Sequence, residues 1–275
     1  EMVIDIDKLN SAQKEAVLHE GNVVAVAPPG SGKTRVVIER AVRLLESQGK
    51  NIKLGTFTRA AAGEMRERIG ARGEKRVEAA TFDSYCFRAA KRSKDFKWQP
   101  PNGFQDWASR SQTLKELGRK ANREEKERLD ELIILAGSKL EPEQADREAA
   151  MVYATYSKIL ADKGLMDHAG IARAIVQGLI KDEIPALDGG VLIVDEFQDA
   201  DELQLRWVLE HARRGFEVMV VGDDDQAIYG WRGGLGHSAL ETVRQETGAR
   251  LVKLDTCYRC RPEIVESARV LIAKN

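Results

Sequence analysis

The chain has 275 residues, enough for one large domain or two modest ones around a real buried core. Its formal net charge of −1 excludes a polycation that coats nucleic acid over its whole surface, so any such affinity must come from a local patch. No apolar run reaches membrane-spanning length and no signal-peptide pattern opens the chain; three cysteines (Cys86, Cys257, Cys260) make no disulfide framework, which predicts a reducing cytoplasm.

Glu1 ahead of Met2 reads as an appended residue, with Met2 the expected natural start. Apolar, β-rich runs then recur at Val23–Ala27, Ile52–Phe57, Val191–Val194, Val218–Val221 and Leu251–Leu254, with a weaker candidate at Val77–Thr81 followed by a helix through Ala90. Helical patterns fall between or after most of them, at Arg35–Glu46, Arg59–Ile69, Asp201–His211, His237–Glu246 and Arg261–Ala273. Strands alternating with helices predict an α/β fold with a parallel sheet covered on both faces. From about Arg92 to Ile184 there is no convincing strand, and charged helical patterns occupy Leu129–Leu135, Ala145–Leu160 and Ala169–Ile180. Loop signals at Pro100-Pro101-Asn102-Gly103 and at Pro185–Gly190 bracket this stretch. The expected organisation is therefore an α/β domain of residues 1–91 and 185–275 with an all-helical insertion at 92–184. Two basic stretches, Arg59–Arg76 and Arg88–Lys94, carry interspersed acidic or small residues and read as solvated helix faces.

The most informative segment is Ala27-Pro28-Pro29-Gly30-Ser31-Gly32-Lys33-Thr34, lying between a strand and a helix. That context is what a phosphate-binding P-loop requires: glycines let backbone N–H groups close around phosphate oxygens, and the helix N-terminus adds its positive end. Gly30, Ser31, Gly32, Lys33, Thr34 and Arg35 are the expected phosphate cradle, with Lys33 reaching the β/γ-phosphates and Thr34 ligating Mg²⁺. After the strand Val191–Val194 comes Asp195-Glu196-Phe197-Gln198-Asp199. A carboxylate at that strand end can hold Mg²⁺, and Glu196 is placed to polarise an attacking water. A third loop, Val221–Gly234, gathers acidic residues, Gln226, Tyr229, Trp231 and Arg232; the amide can sense a γ-phosphate and the rings offer faces for unstacked bases. Cys257-x-x-Cys260 has no second pair to close a tetrahedral zinc site and reads as incidental.

Together these residues resemble the UvrD/Rep-type helicases of superfamily 1. Leu9–Val17 resembles the adenine-reading Q motif, Ala27–Thr34 the P-loop, and Thr56–Met65 the motif Ia that touches single-stranded DNA. Thr81–Cys86 resembles the next DNA-contacting motif, while Asp195–Asp199, Val221–Gly234 and Leu254–Arg259 resemble motifs II, III and IV. The resemblance implies a RecA-like P-loop NTPase domain (1A) with the helical insertion as domain 1B, ATP and Mg²⁺ as cofactors, and 3′→5′ movement on single-stranded DNA. It implies that Gln13 reads the adenine edge, Tyr258 stacks on the base, and Gln226 and Arg259 contact the γ-phosphate. Phe57, Thr58, Arg59, Tyr229, Trp231 and Arg232 would meet DNA.

Ala27 in place of the first glycine is common in that family, but Asp83 stands where its members usually carry His, and Gly230 replaces a usual Arg. Both departures predict weaker DNA contact. The sequence ends at Asn275, soon after motif IV, so the resemblance implies an N-terminal half whose second motor domain (2A/2B) lies in a longer protein or another chain, with slow hydrolysis and no unwinding by this half alone. The competing readings are a nucleotide-gated binding module with little turnover and a P-loop ATPase without a nucleic-acid role.

Overall fold

The computed structural model describes residues 6–70, 76–93, 96–223, 230 and 233–272. Six strands, β1 (Val23–Val26), β2 (Ile52–Thr56), β3 (Val77–Thr81), β4 (Val191–Val194), β5 (Glu217–Gly222) and β6 (Arg250–Lys253), form one sheet in the order β3-β2-β4-β5-β1-β6. Every neighbouring pair is parallel. The helices are α1 (Ser11–Leu18), α2 (Lys33–Gln48), α3 (Arg59–Ile69), α4 (Phe82–Arg92), α5 (Gly103–Glu116), α6 (Arg123–Gly137), α7 (Arg147–Ala161), α8 (His168–Ile180), α9 (Glu202–Arg213), α10 (His237–Thr247) and α11 (Pro262–Ile272). This is the parallel α/β architecture expected from the strand–helix alternation, and the RecA-like one that the resemblance implies, with the weak candidate at Val77–Thr81 taking its place as an edge strand.

Period-two alternation assigns each strand residue to one of two cores. Val23, Ala25, Ile52, Leu54, Val191, Ile193, Met219 and Val221 face a core shared with α1, α2 and α3. Val24, Leu192, Val194, Val218 and Val220 face the other, shared with α4, α8, α9 and α10. A third core, holding Leu114, Leu129, Leu132, Ile133, Val152 and Tyr156, joins α5, α6 and α7. Within the helical stretch, α8 therefore packs differently from its neighbours: Ile171, Ile175, Val176 and Leu179 belong to the sheet's own core beside Trp207 of α9. The helix α5 has no counterpart among the elements expected from sequence, because its apolar positions are few and its outward side carries the exposed Phe104 and Trp107.

The start of the sheet is fastened by one buried cation. Arg40 of α2 is fully buried; its guanidinium donates to the carbonyls of Ala16, His19 and Gly21 at 2.6–2.8 Å and to Glu217 Oε1 at 2.7 Å. Burial lowers its pKa to about 10, with the Glu217 charge opposing that shift. The group ties together three carbonyls at the end of α1 and in the turn after it, that of Ala16 being buried. Losing one partner of a buried pair typically costs about 3–5 kcal/mol. Arg40→Ala is expected to lower stability by about that amount in a denaturant titration, with Glu217→Gln milder because its amide still accepts from the guanidinium.

Candidate functional site

Parallel strands deliver their following loops to one end of the sheet, and the site is built there. The Ala27 N–H donates to Gly222 O at 2.9 Å, tying the end of β1 to the end of β5, and the chain then turns through residues 27–32 into α2. The turn uses left-handed backbone at Gly30 (φ 74°) and Gly32 (φ 86°), the latter capping α2. Neither position has room for a side chain: a Cβ on Gly30 would lie 2.6 Å from the Arg259 Cβ, and one on Gly32 would lie 2.9 Å from Gln13 Nε2. Glycine is required twice over, by conformation and by space.

Two distant segments clamp this loop. Asn10 and Gln13 form a reciprocal capping box at the start of α1, and the Gln13 side-chain Nε2 donates to Ser31 O at 2.9 Å. On the other side the Tyr258 N–H donates to Gly30 O at 2.8 Å, while Asn10 Nδ2 donates to the Tyr258 hydroxyl at 2.8 Å. The Tyr258 ring is 61% exposed, open for a stacking partner. Gln13 is buried as a strut beneath the loop, with both ends of its amide engaged. Thr34 is half-buried in the first turn of α2, and Arg35 is exposed beside it.

The carboxylates arrive from β4. The Asp195 N–H bonds Gly55 O at 3.1 Å, holding the strand end against β2, and its carboxylate accepts from the Glu196 N–H at 2.9 Å. Burial raises the Asp195 carboxyl to about 6, the Glu196 charge adding to it. Glu196 adopts left-handed backbone (φ 53°), strain for a non-glycine residue that turns its side chain back toward the P-loop. Its Oε2 accepts from Lys33 Nζ at 2.8 Å and from Gln198 Nε2 at 2.9 Å. Burial pushes the Glu196 carboxyl up, but these two donors outweigh it and leave the group below its ordinary range. Gln198, which sequence reasoning passed over, joins the site to its neighbour: its Oε1 accepts from the Asp223 N–H at 2.9 Å, just past β5. The signal was present in the spacing of Asp195-Glu196-Phe197-Gln198, but a neutral amide between acidic residues carries no chemistry of its own until its partners are known.

Gln226, Tyr229, Trp231 and Arg232 lie outside the described residues. The other expected DNA-contacting positions follow β2. Phe57 is half-buried, the Thr58 hydroxyl caps α3 by accepting from Ala61 N–H at 3.1 Å, and Arg59 is exposed as the first residue of that helix. Phe57 and Thr58 line a cleft of about 640 Å³ between the sheet's loops and helices α5–α8. The cleft carries Asp83, Asp106, Asp167, Asp199 and Asp201 against Arg110 and His168. The cleft walls raise the carboxyl of Asp83, with His168 opposing, and burial raises that of Asp201 to about 7.

The loop geometry fits a nucleotide. The Ser31 Oγ is buried with no hydrogen-bond partner, the amides of the turn are bracketed by two left-handed glycines, and Lys33 stands at the head of a sixteen-residue helix. For a metal, Thr34 and Asp195 offer hard oxygen donors. Among the described residues no group of three or more His, Cys, Asp or Glu side chains could hold one, and Mg²⁺ characteristically takes one or two carboxylates plus phosphate oxygens and water. The fold and site define an α/β protein with a P-loop.

The sequence profile of the UvrD/REP helicase N-terminal domain matches residues 9–245, and the chain belongs to that family. It is 32% identical over 295 aligned positions to DNA helicase II of Salmonella typhimurium and 31% identical to DNA helicase II of Escherichia coli, each alignment covering 98% of this chain and 41% of the relative. ATP-dependent DNA helicase PcrA of Staphylococcus aureus is 29% identical, with 98% and 40% covered. The chain thus spans about two fifths of the length of these relatives. Among the described residues no helix is long and apolar enough to cross a membrane.

Gly30→Ala is expected to lose nucleotide affinity through both strain and the Arg259 clash. A left-handed non-glycine residue alone costs about 1–2 kcal/mol, so titration with Mg·ADP should show a loss of at least about tenfold.

Proposed function

We propose that this chain is the ATP-binding half of a 3′→5′ DNA helicase or translocase, binding Mg·ATP and single-stranded DNA. The observation that carries the reading is the contact of Lys33 with Glu196, which joins a glycine-turned P-loop to the carboxylates of β4. In this reading Lys33 exchanges Glu196 for the β/γ-phosphates. The freed Glu196 then accepts the proton of an attacking water, while Gln198 holds its carboxylate in place. Thr34 and Asp195 would hold Mg²⁺, which supplies charge neutralisation on the phosphates. Gln13 and Tyr258 serve the base; Arg259, with Gln226, serves the γ-phosphate. Phe57, Thr58, Arg59, Tyr229, Trp231 and Arg232 serve single-stranded DNA in the cleft. Residues 1–91 and 185–275 form domain 1A, and 92–184 form domain 1B, of a cytoplasmic protein. The polarity rests on family likeness, and the partner is a second motor domain that completes the ATP site.

Lys33→Ala is expected to abolish Mg·ATP binding with the circular dichroism spectrum unchanged. Glu196→Gln is expected to keep ATP binding and lower its turnover by on the order of 10²-fold or more, measured with and without single-stranded DNA at one fixed salt concentration. Unaltered turnover in Glu196→Gln would favour the nucleotide-gated binding module instead.

The acidic cleft bears on the DNA half of the reading. Asp83 opens onto it beside His168, where a phosphate backbone would meet a carboxylate. Asp83→His, with Asp83→Asn as the charge-only control, is expected to tighten single-strand binding several-fold and to steepen its salt dependence. Fluorescence anisotropy with a labelled oligonucleotide reads both; identical curves for all three proteins would remove Asp83 from the interface.

A further inference from the structure

The Cys257-x-x-Cys260 pair forms one wall of the nucleotide loop. The Cys260 N–H donates to Cys257 Sγ at 3.4 Å. A Cβ placed on Gly30 would lie 3.0 Å from Cys257 Sγ, so this sulfur packs directly on the P-loop turn. The two residues between the cysteines are Tyr258, whose N–H holds Gly30 O, and Arg259, whose Cβ fills the space beside Gly30. Both cysteines are half-exposed and line a groove of about 520 Å³ with Leu254, Ile264 and Val265, open to small molecules. The third cysteine, Cys86, is 1% exposed in the sheet's core.

We propose that Cys257 and Cys260 are a thiol–disulfide modification site that sets nucleotide affinity, taking low-molecular-weight disulfides as oxidant. The proposal rests on the nucleotide site described above. Cys257 is the attacking sulfur: the backbone amides of Cys260 and Arg259 point at it and hold its thiol below the ordinary range, which favours the thiolate. The thiolate attacks one sulfur of the small disulfide, whose S–S bond breaks and whose other half leaves as a thiolate that takes up a proton. Cys260 then loses its proton to water, its sulfur attacks Cys257 Sγ in the mixed disulfide, and the second half departs the same way. The pair loses two electrons and two protons, and the small disulfide becomes two thiols.

A disulfide bond is about 2.05 Å long. Closing it draws Cys257 Sγ toward Cys260 and away from Gly30. Tyr258 and Arg259 travel with the shortened loop, loosening the Tyr258–Gly30 bond that helps shape the cradle. Oxidation therefore weakens nucleotide binding, and by reciprocity bound nucleotide disfavours oxidation. Cys86 takes no part, since burial raises its thiol well above the ordinary range and denies access.

The test treats the full chain with oxidised glutathione, counts thiols by intact mass, and titrates reduced and oxidised protein with Mg·ADP. The expected result is loss of two thiols with Cys86 retained, and a Kd raised at least about fivefold that returns on reduction with dithiothreitol. Cys260→Ser, and independently Cys257→Ala should that variant misfold, is expected to form no intramolecular disulfide and to keep its own untreated Mg·ADP affinity once any mixed disulfide is reversed. Failure to form the intramolecular disulfide, or an oxidised form whose affinity is unchanged or higher, overturns the proposal. If the reduced chain itself binds no Mg·ADP, it is the nucleotide-site reading that fails.

Discussion

A loop of six residues has to carry the chain from a central strand into a long helix with its amides facing outward, and the rest of the site depends on that turn. Two left-handed glycines make it possible, but they also make it soft, because glycine loses more conformational freedom on ordering than any other residue. The structure answers with fastenings from far along the sequence: Gln13 on Ser31 O, Tyr258 on Gly30 O, and Gly222 O on Ala27 N–H. The close approach of Arg259 to Gly30 is the steric counterpart of the same clamp. Each fastening acts on the backbone, so the side chains of Lys33 and Thr34 remain available for chemistry.

The second dependence is electrostatic. Lys33, 12% exposed at the head of α2, would be an expensive buried cation without a partner, and Glu196 provides one across the top of the sheet. The left-handed backbone of Glu196 is the strain this costs, and Gln198 shares the load by donating to the same carboxylate oxygen. Through its other end Gln198 holds the amide of Asp223, so the loops after β4 and β5 are mechanically one unit. Gly222 allows this: a Cβ there would press to 2.8 Å on Gln198 Oε1. Glu196, Gln198 and Asp223 thus form one chain of hydrogen bonds leading away from Lys33.

Much of this architecture was legible in the sequence because its signals are periodic or local. Val191–Val194 reads as a buried strand since a parallel sheet covered on both faces needs an unbroken apolar run, and its bounds came out as expected. The P-loop is legible because glycine, lysine and threonine at fixed offsets serve a single geometry. What escaped depends on tertiary contacts. The packing of α8 into the sheet's core cannot be separated by pattern from the packing of α7 against α6, since both helices are simply amphipathic. Arg40 reads as a surface residue of a helix until three carbonyls and Glu217 are found around it. The cysteine pair reads as incidental because spacing alone cannot say that Gly30 lies against its sulfur.

The cleft shows why family likeness and physical environment must be weighed separately. The residues after β2 and the start of α4 put Phe57, Thr58 and Asp83 on one wall. The opposite wall, from α5–α8, adds Asp106 and Asp167 against Arg110 and His168, and Arg110 is itself held by Asp106 at 2.9 Å and by Asp130. A phosphate backbone entering here gains no free guanidinium from that arginine and meets several carboxylates. The elevated carboxyl of Asp201, deep in the cleft, comes first from burial, with the Asp83 charge adding to it. Any anion entering this cleft therefore meets a lining whose arginine is already engaged, and charge attraction contributes little there.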